Sequence, residues 1–119
     1  MAPSVLVVDD DPVFRALAAS VLADNGLAVV GEADSVSAAL SAAARLEPTA
    51  ALVDVGLPDG DGFTLARQLT TLPWHPHVVI TSIDADAGSA DEVRRSGARA
   101  FVAKADLPNA PLGRLLGAE

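Results

Sequence analysis

The chain has 119 residues, half of them hydrophobic, with 16 acidic and 8 basic side chains and a formal net charge of −8. That length suffices for one domain with a real core, and the absence of cysteine excludes disulfides, thiol chemistry and Cys-ligated metal centres. The acidic balance argues against direct nucleic-acid binding, no apolar run reaches the ~18–20 residues of a membrane span, and no secretory pattern opens the chain. The expectation is one acidic, soluble, cytoplasmic domain over residues 1–119, without a membrane segment and without an output domain. Two biases stand out: Asp outnumbers Glu by 12 to 4, and Lys104 is the only lysine.

Apolar runs and helical stretches alternate five times. Residues 4–8 (SVLVV) read as a strand buried on both faces. Asp11 reads as an N-cap with Pro12 at the first helical position. Val13, Leu17 and Val21 then form an apolar face, with Phe14, Ala18 and Leu22 beside it, and Gly26 ends the helix. Residues 27–33 give a weaker, edge-like strand. Ser35 caps an Ala-rich helix over 36–46 that stops before Pro48. Residues 50–54 (AALVD) are a third strand, followed by the turn-rich GLPDGDG. Leu65, Leu69 and Leu72 mark a third helix, ended by Pro73. Residues 77–82 are a fourth strand. Ser89 and Glu92 make a capping box for a short helix ending at Gly97. Residues 100–103 are the fifth strand, and residues 111–116 a last short helix. The pattern is α/β, (βα)5, implying a doubly wound parallel sheet with helices on both faces.

In such a sheet, ligands sit at the carboxyl ends of the strands. Asp9 and Asp10 end the first strand, Asp54 the third, and Thr81 and Ser82 the fourth, while Lys104 follows the fifth. Three carboxylates brought together repel, and a hard divalent cation such as Mg²⁺, an oxygen seeker, answers that repulsion. A carboxylate can act as a nucleophile and carry a phosphoryl group, whose oxygens an ammonium and a hydroxyl would stabilise.

The segments VLVVDDD, LVDVGLPDGDG, VVITS and GARAFVAKAD, in this order and spacing, resemble the receiver domain of two-component response regulators. The resemblance covers nearly the whole chain and implies a flavodoxin-like strand order, 2-1-3-4-5. It implies that Asp54 is the phosphoacceptor, served by a sensor histidine kinase or a phosphotransfer protein. Asp10 would bind Mg²⁺ directly and Asp9 largely through water, with Asp54 and the Gly56 backbone carbonyl as further ligands. Thr81 and Lys104 would contact the phosphoryl group. Phe101 matches the aromatic position that follows Thr81 inward, changing the partner preference of the face made by helix four, strand five and helix five. The alternative for Phe101 is an ordinary core residue. The segment GARAFVAKADLP looks more like regulators with LuxR-type DNA-binding output domains than like the winged-helix class. The output would be such a domain or a separate downstream protein.

Several positions depart from the family pattern. Ala105 stands where a proline usually follows the lysine, which predicts either a trans bond with a shifted loop or a strained exception. Gly56 and Ile83, two residues beyond Asp54 and Thr81, have side chains that cannot orient a water, so hydrolysis of the phosphoryl group is expected to be unassisted. His75 and His77 flank Pro76 and are expected in a solvated loop, far from the acids, and Trp74 is either a lid on the core or an exposed contact.

Two other functions remain open. Asp9-Asp10-Asp11-Pro12-Val13 also fits the nucleophile loop of haloacid-dehalogenase-type Mg²⁺ phosphatases, with Asp9 as nucleophile. That fold needs a further acidic pair after the lysine, and only Asp106 and Glu119 follow Lys104. The other is an unphosphorylated adaptor.

Overall fold

The structure is a computed structural model and describes residues 3–117. In chain order it contains β1 (Ser4–Val8), α1 (Pro12–Asp24), β2 (Ala28–Ala33), α2 (Val36–Leu46) and β3 (Ala50–Asp54). A small hairpin follows, β4 (Gly56–Leu57) and β5 (Gly60–Asp61), leading into α3 (Gly62–Thr70). Then come β6 (His77–Ser82), α4 (Ala90–Ser96), β7 (Ala100–Ala103), a 3₁₀ helix (Lys104–Asn109) and α5 (Leu112–Leu116). The five long strands are all parallel and lie in the order β2-β1-β3-β6-β7. Counting only those five, this is 2-1-3-4-5, as the sequence predicts.

The sheet separates two cores because successive strand residues point to opposite faces. Val5, Val7, Ala50 and Leu52 pack with Phe14, Ala18 and Leu22 of α1 and Leu112 and Leu116 of α5. Leu6, Val8, Ala51 and Val53 pack with the α2 alanines and with Phe63, Leu65, Ala66 and Leu69 of α3. Each fully buried Leu or Val contributes about 1.5–3 kcal/mol of burial free energy. All five residues of β3 are buried, whereas β2 at the edge alternates exposed and half-buried positions.

The caps follow the sequence closely. The Asp11 carboxylate accepts from the Val13 amide, and Ser35 Oγ from Ala38. Ser89 and Glu92 form the reciprocal capping box, and Gly97 ends α4 at φ 80°, a conformation that favours glycine.

Several expectations need correction. The sheet-facing row of α1 is Phe14, Ala18 and Leu22, while Val13 and Leu17 are 76% and 52% exposed. Two adjacent apolar rows on one helix leave the choice between them to tertiary packing. Helix α3 ends at Thr70, before Leu72, which is half-buried in the turn that follows. Trp74 is half-buried in the turn before β6, and its indole N–H donates to the Pro48 carbonyl at 2.9 Å. His75 is exposed in the loop before β6, but His77 is the first residue of β6 and half-buried, not solvated; both lie opposite the acidic edge. After β7 the chain turns at once into the 3₁₀ helix, anchored by the fully buried Leu107. The Lys104–Ala105 bond is trans, as are all peptide bonds among the described residues. Glu119 lies outside the described residues. Among the described residues, no helix is long and apolar enough to cross a membrane.

Candidate functional site

Parallel strands in register bring their carboxyl ends to one edge. Asp54 pairs with Thr81 across β3 and β6, and Ser82 pairs with Ala103 across β6 and β7, which places Lys104 just beyond. Asp9 and Asp10 leave β1 on the other side of Asp54, and the Asp9 amide donates to the Ala33 carbonyl at 3.0 Å. One oxygen each from Asp9, Asp10 and Asp54 lies within 4.8 Å of the others. Asp9 and Thr81 are fully buried, Asp54 is 8% exposed, and Asp10 is exposed to solvent.

The Lys104 ammonium lies 2.7 Å from Asp9 Oδ2 and 3.5 Å from Asp54 Oδ1. The other Asp9 oxygen accepts from the Asp11 amide at 2.8 Å. Arg15 of α1 donates to the Asp9 carbonyl oxygen at 2.6 Å and to Glu32 at 2.8 Å, fixing the turn that carries the acids. Burial, then the charge of Asp9, push the Asp54 carboxyl above the usual carboxylate range, against the opposing pull of Lys104. Burial works to lower the Lys104 pKa, yet the hydrogen bond to Asp9 and the charges of Asp54 and Asp9 leave it above the ordinary lysine value. The two carboxylates thus favour the charged form of the ammonium.

Three carboxylates face one lysine, leaving two negative charges unbalanced. A small oxygen-seeking divalent cation fits that donor set and that deficit, with the exposed Asp10 side open to solvent. The Thr81 hydroxyl is fully buried and makes no hydrogen bond within the protein. A buried hydroxyl without a partner is costly, so its place beside Asp54 marks a position where a ligand oxygen would satisfy it.

The loop after Asp54 is built around close approaches. A Cβ on Gly62 would stand 2.3 Å from the Asp54 carbonyl oxygen, and the Gly62 amide donates to the Val55 carbonyl at 2.7 Å. A Cβ on Gly56 would lie 3.9 Å from Asp54 Oδ2, so this residue borders the carboxylate with backbone alone. Asp59, at the tip of the hairpin, accepts from the Val36 and Ser37 amides at 2.7 and 3.0 Å and so caps α2 from a distant segment. Asp61 caps α3 through the Thr64 amide at 2.9 Å.

Phe101 lies one strand beyond Thr81. It is half-buried on β7, packs on the α2–α3 side of the sheet and walls a cavity of about 550 Å³ together with Gly88, Val93 and Ala98. Ile83 stands 84% exposed after β6. Sequence reasoning placed Asp9, Asp10, Asp54, Thr81 and Lys104 on one edge, with Gly56 added by the family resemblance. It missed Arg15, and it read Phe14 only as part of an apolar helix row; neither residue carries a local signal for its place beside the acids.

A family model for the response regulator receiver domain matches residues 5–110, and the chain belongs to that family. Among curated relatives, it is 38% identical over 112 residues to the DNA-binding transcriptional activator DevR/DosR of Mycobacterium tuberculosis, covering 92% of this chain and 51% of that protein. It is 25% identical to the chemotaxis protein CheY of Bacillus subtilis, over 87% of both chains. The structure of the chemotaxis response regulator CheY4 of Vibrio cholerae superposes with a TM-score of 0.82 at 21% identity, covering 98% of this chain and all of that one. The chain spans about half the length of DevR/DosR, and 31% of a protein-glutamate methylesterase/protein-glutamine glutaminase of Hahella chejuensis to which it is 34% identical.

Proposed function

We propose that Asp54 is the phosphoacceptor of this receiver domain and that the chain is a single receiver unit in a two-component pathway. The observation that carries this reading is the set around Asp54: a lysine ammonium at 3.5 Å and a buried, unpartnered threonine hydroxyl in register on the next strand. The donor is a phosphohistidine of a sensor kinase or a phosphotransfer protein. An Asp54 carboxylate oxygen bonds to phosphorus as the P–N bond breaks. The electron pair stays on the imidazole nitrogen, which takes up a proton.

Asp9, Asp10, Asp54 and the Gly56 carbonyl would hold Mg²⁺, which when bound supplies positive charge to the phosphoryl oxygens. Lys104 turns from Asp9 towards the new phosphoryl oxygens, and the Thr81 hydroxyl donates to one of them. The family resemblance implies that Phe101, on the strand next to Thr81, moves when Thr81 is drawn inward. The surface formed by α4, β7 and α5 then changes its partner. This is a two-state element biased by one added dianion. Neither Gly56 nor Ile83 supplies a group to orient water, so the acyl phosphate decays without assistance.

The reading as a phosphatase with Asp9 as nucleophile has less support. Asp9 is fully buried, with one oxygen on the Asp11 amide and the other against Lys104. The adaptor reading leaves the Thr81 hydroxyl unexplained. The domain turns over no separate substrate; its chemistry is confined to its own aspartate. By analogy with the DNA-binding activator DevR/DosR, the downstream element is a DNA-binding domain or a partner protein, and the compartment is the cytoplasm.

The test is intact mass after incubation with a small phosphodonor, with and without Mg²⁺. One added phosphoryl group that requires Mg²⁺ and is lost in Asp54→Asn is the expected result. Label that survives Asp54→Asn but disappears in Asp9→Asn moves the nucleophile to β1 and overturns the reading.

A further inference from the structure

The Lys104 ammonium has a third neighbour. The Phe14 ring lies against it, with the ring centroid 4.1 Å from Nζ. Phe14 sits in the first turn of α1 and is 7% exposed. Its position is well determined: Asp11 caps that turn, and the neighbouring Arg15 ties it to the Asp9 carbonyl oxygen. Lys104, by contrast, reaches the site on a flexible four-carbon stem. Its two carboxylate partners draw the ammonium in different directions, and both change character once Asp54 carries a phosphoryl group and the acids hold a metal ion. Of these three neighbours, the ring face alone keeps its charge unchanged. Cation–ring attraction is strongest where water is scarce, and the Lys104 side chain is only 13% exposed.

We propose that Phe14 is a positioning residue: its ring face holds the Lys104 ammonium over the acidic edge, so that the charge faces Asp54 when the phosphoryl group arrives. The proposal deepens the reading of Asp54 as phosphoacceptor and rests on it. The competing account is that Phe14 only fills the core between α1 and the sheet.

Lys104 is the only lysine, so its ε-methylene resonance and its acylation by an amine reagent, followed by peptide mass, report on this side chain alone. The comparison uses Phe14→Leu, Phe14→Tyr, a ring-fluorinated phenylalanine at position 14, and Val5→Ala. Val5→Ala loosens the same core at the far end of β1. Phe14→Leu is expected to shift the Lys104 ε-proton resonance downfield, raise its acylation rate severalfold and slow phosphorylation by a small phosphodonor about three- to tenfold. Phe14→Tyr restores all three readouts, the fluorinated ring gives intermediate values at unchanged shape, and Val5→Ala changes none of them. Equal effects from Phe14→Leu and Val5→Ala, or no effect of fluorination, overturn the proposal in favour of core filling. If the unsubstituted protein accepts no phosphoryl group, the Asp54 reading fails, while the resonance and the acylation rate still decide whether the ring holds the lysine.

Discussion

Gly62 passes so close to Asp54 that a Cβ on the glycine would stand 2.3 Å from the aspartate's carbonyl oxygen and 2.9 Å from its carbonyl carbon. The obstacle is backbone at the end of a fully buried strand, so neither side can yield cheaply. The glycine is required by this approach, not by an unusual φ. Gly62→Ala is expected to destabilise the fold by about 1–3 kcal/mol through overpacking. It also displaces Asp54 relative to Lys104, so phosphorylation falls. Urea unfolding and phosphodonor labelling check both; a variant of unchanged midpoint and unchanged labelling would contradict the contact.

Asp54 itself stands at a cost to stability. Burial and the Asp9 charge hold its carboxyl above the ordinary range. A raised carboxyl pKa means that the fold resists the ionised form. The penalty is complete above the folded value, shrinks as pH falls below it and is gone below the unfolded value. Asp54→Asn removes that penalty at neutral pH and is expected to raise stability by about 0.5–2 kcal/mol while abolishing phosphorylation. An unfolding midpoint at pH 7 below that of the unsubstituted protein would refute this account.

Metal binding should relieve the same strain. Mg²⁺ that binds only the folded state stabilises it by about 2.7 kcal/mol at a hundredfold excess over its dissociation constant. Asp10 is exposed, so Asp10→Asn is expected to change metal-free stability by no more than about 0.5 kcal/mol. It should nevertheless remove most of the rise in Tm on adding Mg²⁺. A thermal scan with and without the ion separates the two effects, and a full Mg²⁺ response in Asp10→Asn would place the ion elsewhere.

The acidic edge was legible because its residues end strands whose runs are unmistakable. VLVVDD and ALVD place aspartates at strand termini, and a parallel sheet gathers such termini on one side. Helix ends were legible for a similar reason, since Asp11-Pro12 and Ser89 to Glu92 are local cap chemistry. What the sequence hid is non-local. Nothing near Asp59 announces that its carboxylate reaches across to the Val36 and Ser37 amides. Nothing near Phe14 announces Lys104, ninety residues on. The trans bond after Lys104 followed from Ala105 only as one of two outcomes, because the loop's path depends on where Leu107 finds its pocket.

The capping carboxylates of the hairpin give the acid limb of stability its direction. The amides of Ser37 and Val36 hold Asp59 below the usual carboxylate range, and the Thr64 amide does the same for Asp61. Both lose their protons more readily folded than unfolded. Their contribution is therefore complete above about pH 4 and is lost as pH falls through the lowered folded values. Asp59→Asn keeps one acceptor atom but removes the charge. It is expected to flatten the loss of stability between neutral and strongly acidic pH, measured as the urea midpoint along a pH series. Parallel curves for the two proteins would mean that the cap does not couple the hairpin to α2.

The orientation of α1 can be read out by substitution, because its two apolar rows differ so sharply in burial. Leu22 is fully buried between α1 and the sheet, whereas Leu17 is 52% exposed. Leu22→Ala removes buried methyl groups and leaves a cavity, and is expected to cost about 2–5 kcal/mol. Leu17→Ser changes a side chain already in water and is expected to stay within about 0.5 kcal/mol. Val13 is more exposed still, so adding Val13→Ser should leave the unfolding midpoint where it was. If the order were reversed, with Leu17→Ser the damaging change, the helix would be rotated by about 100° from the orientation described. Phe14 would then face away from Lys104, and the contact that carries the positioning role would be gone.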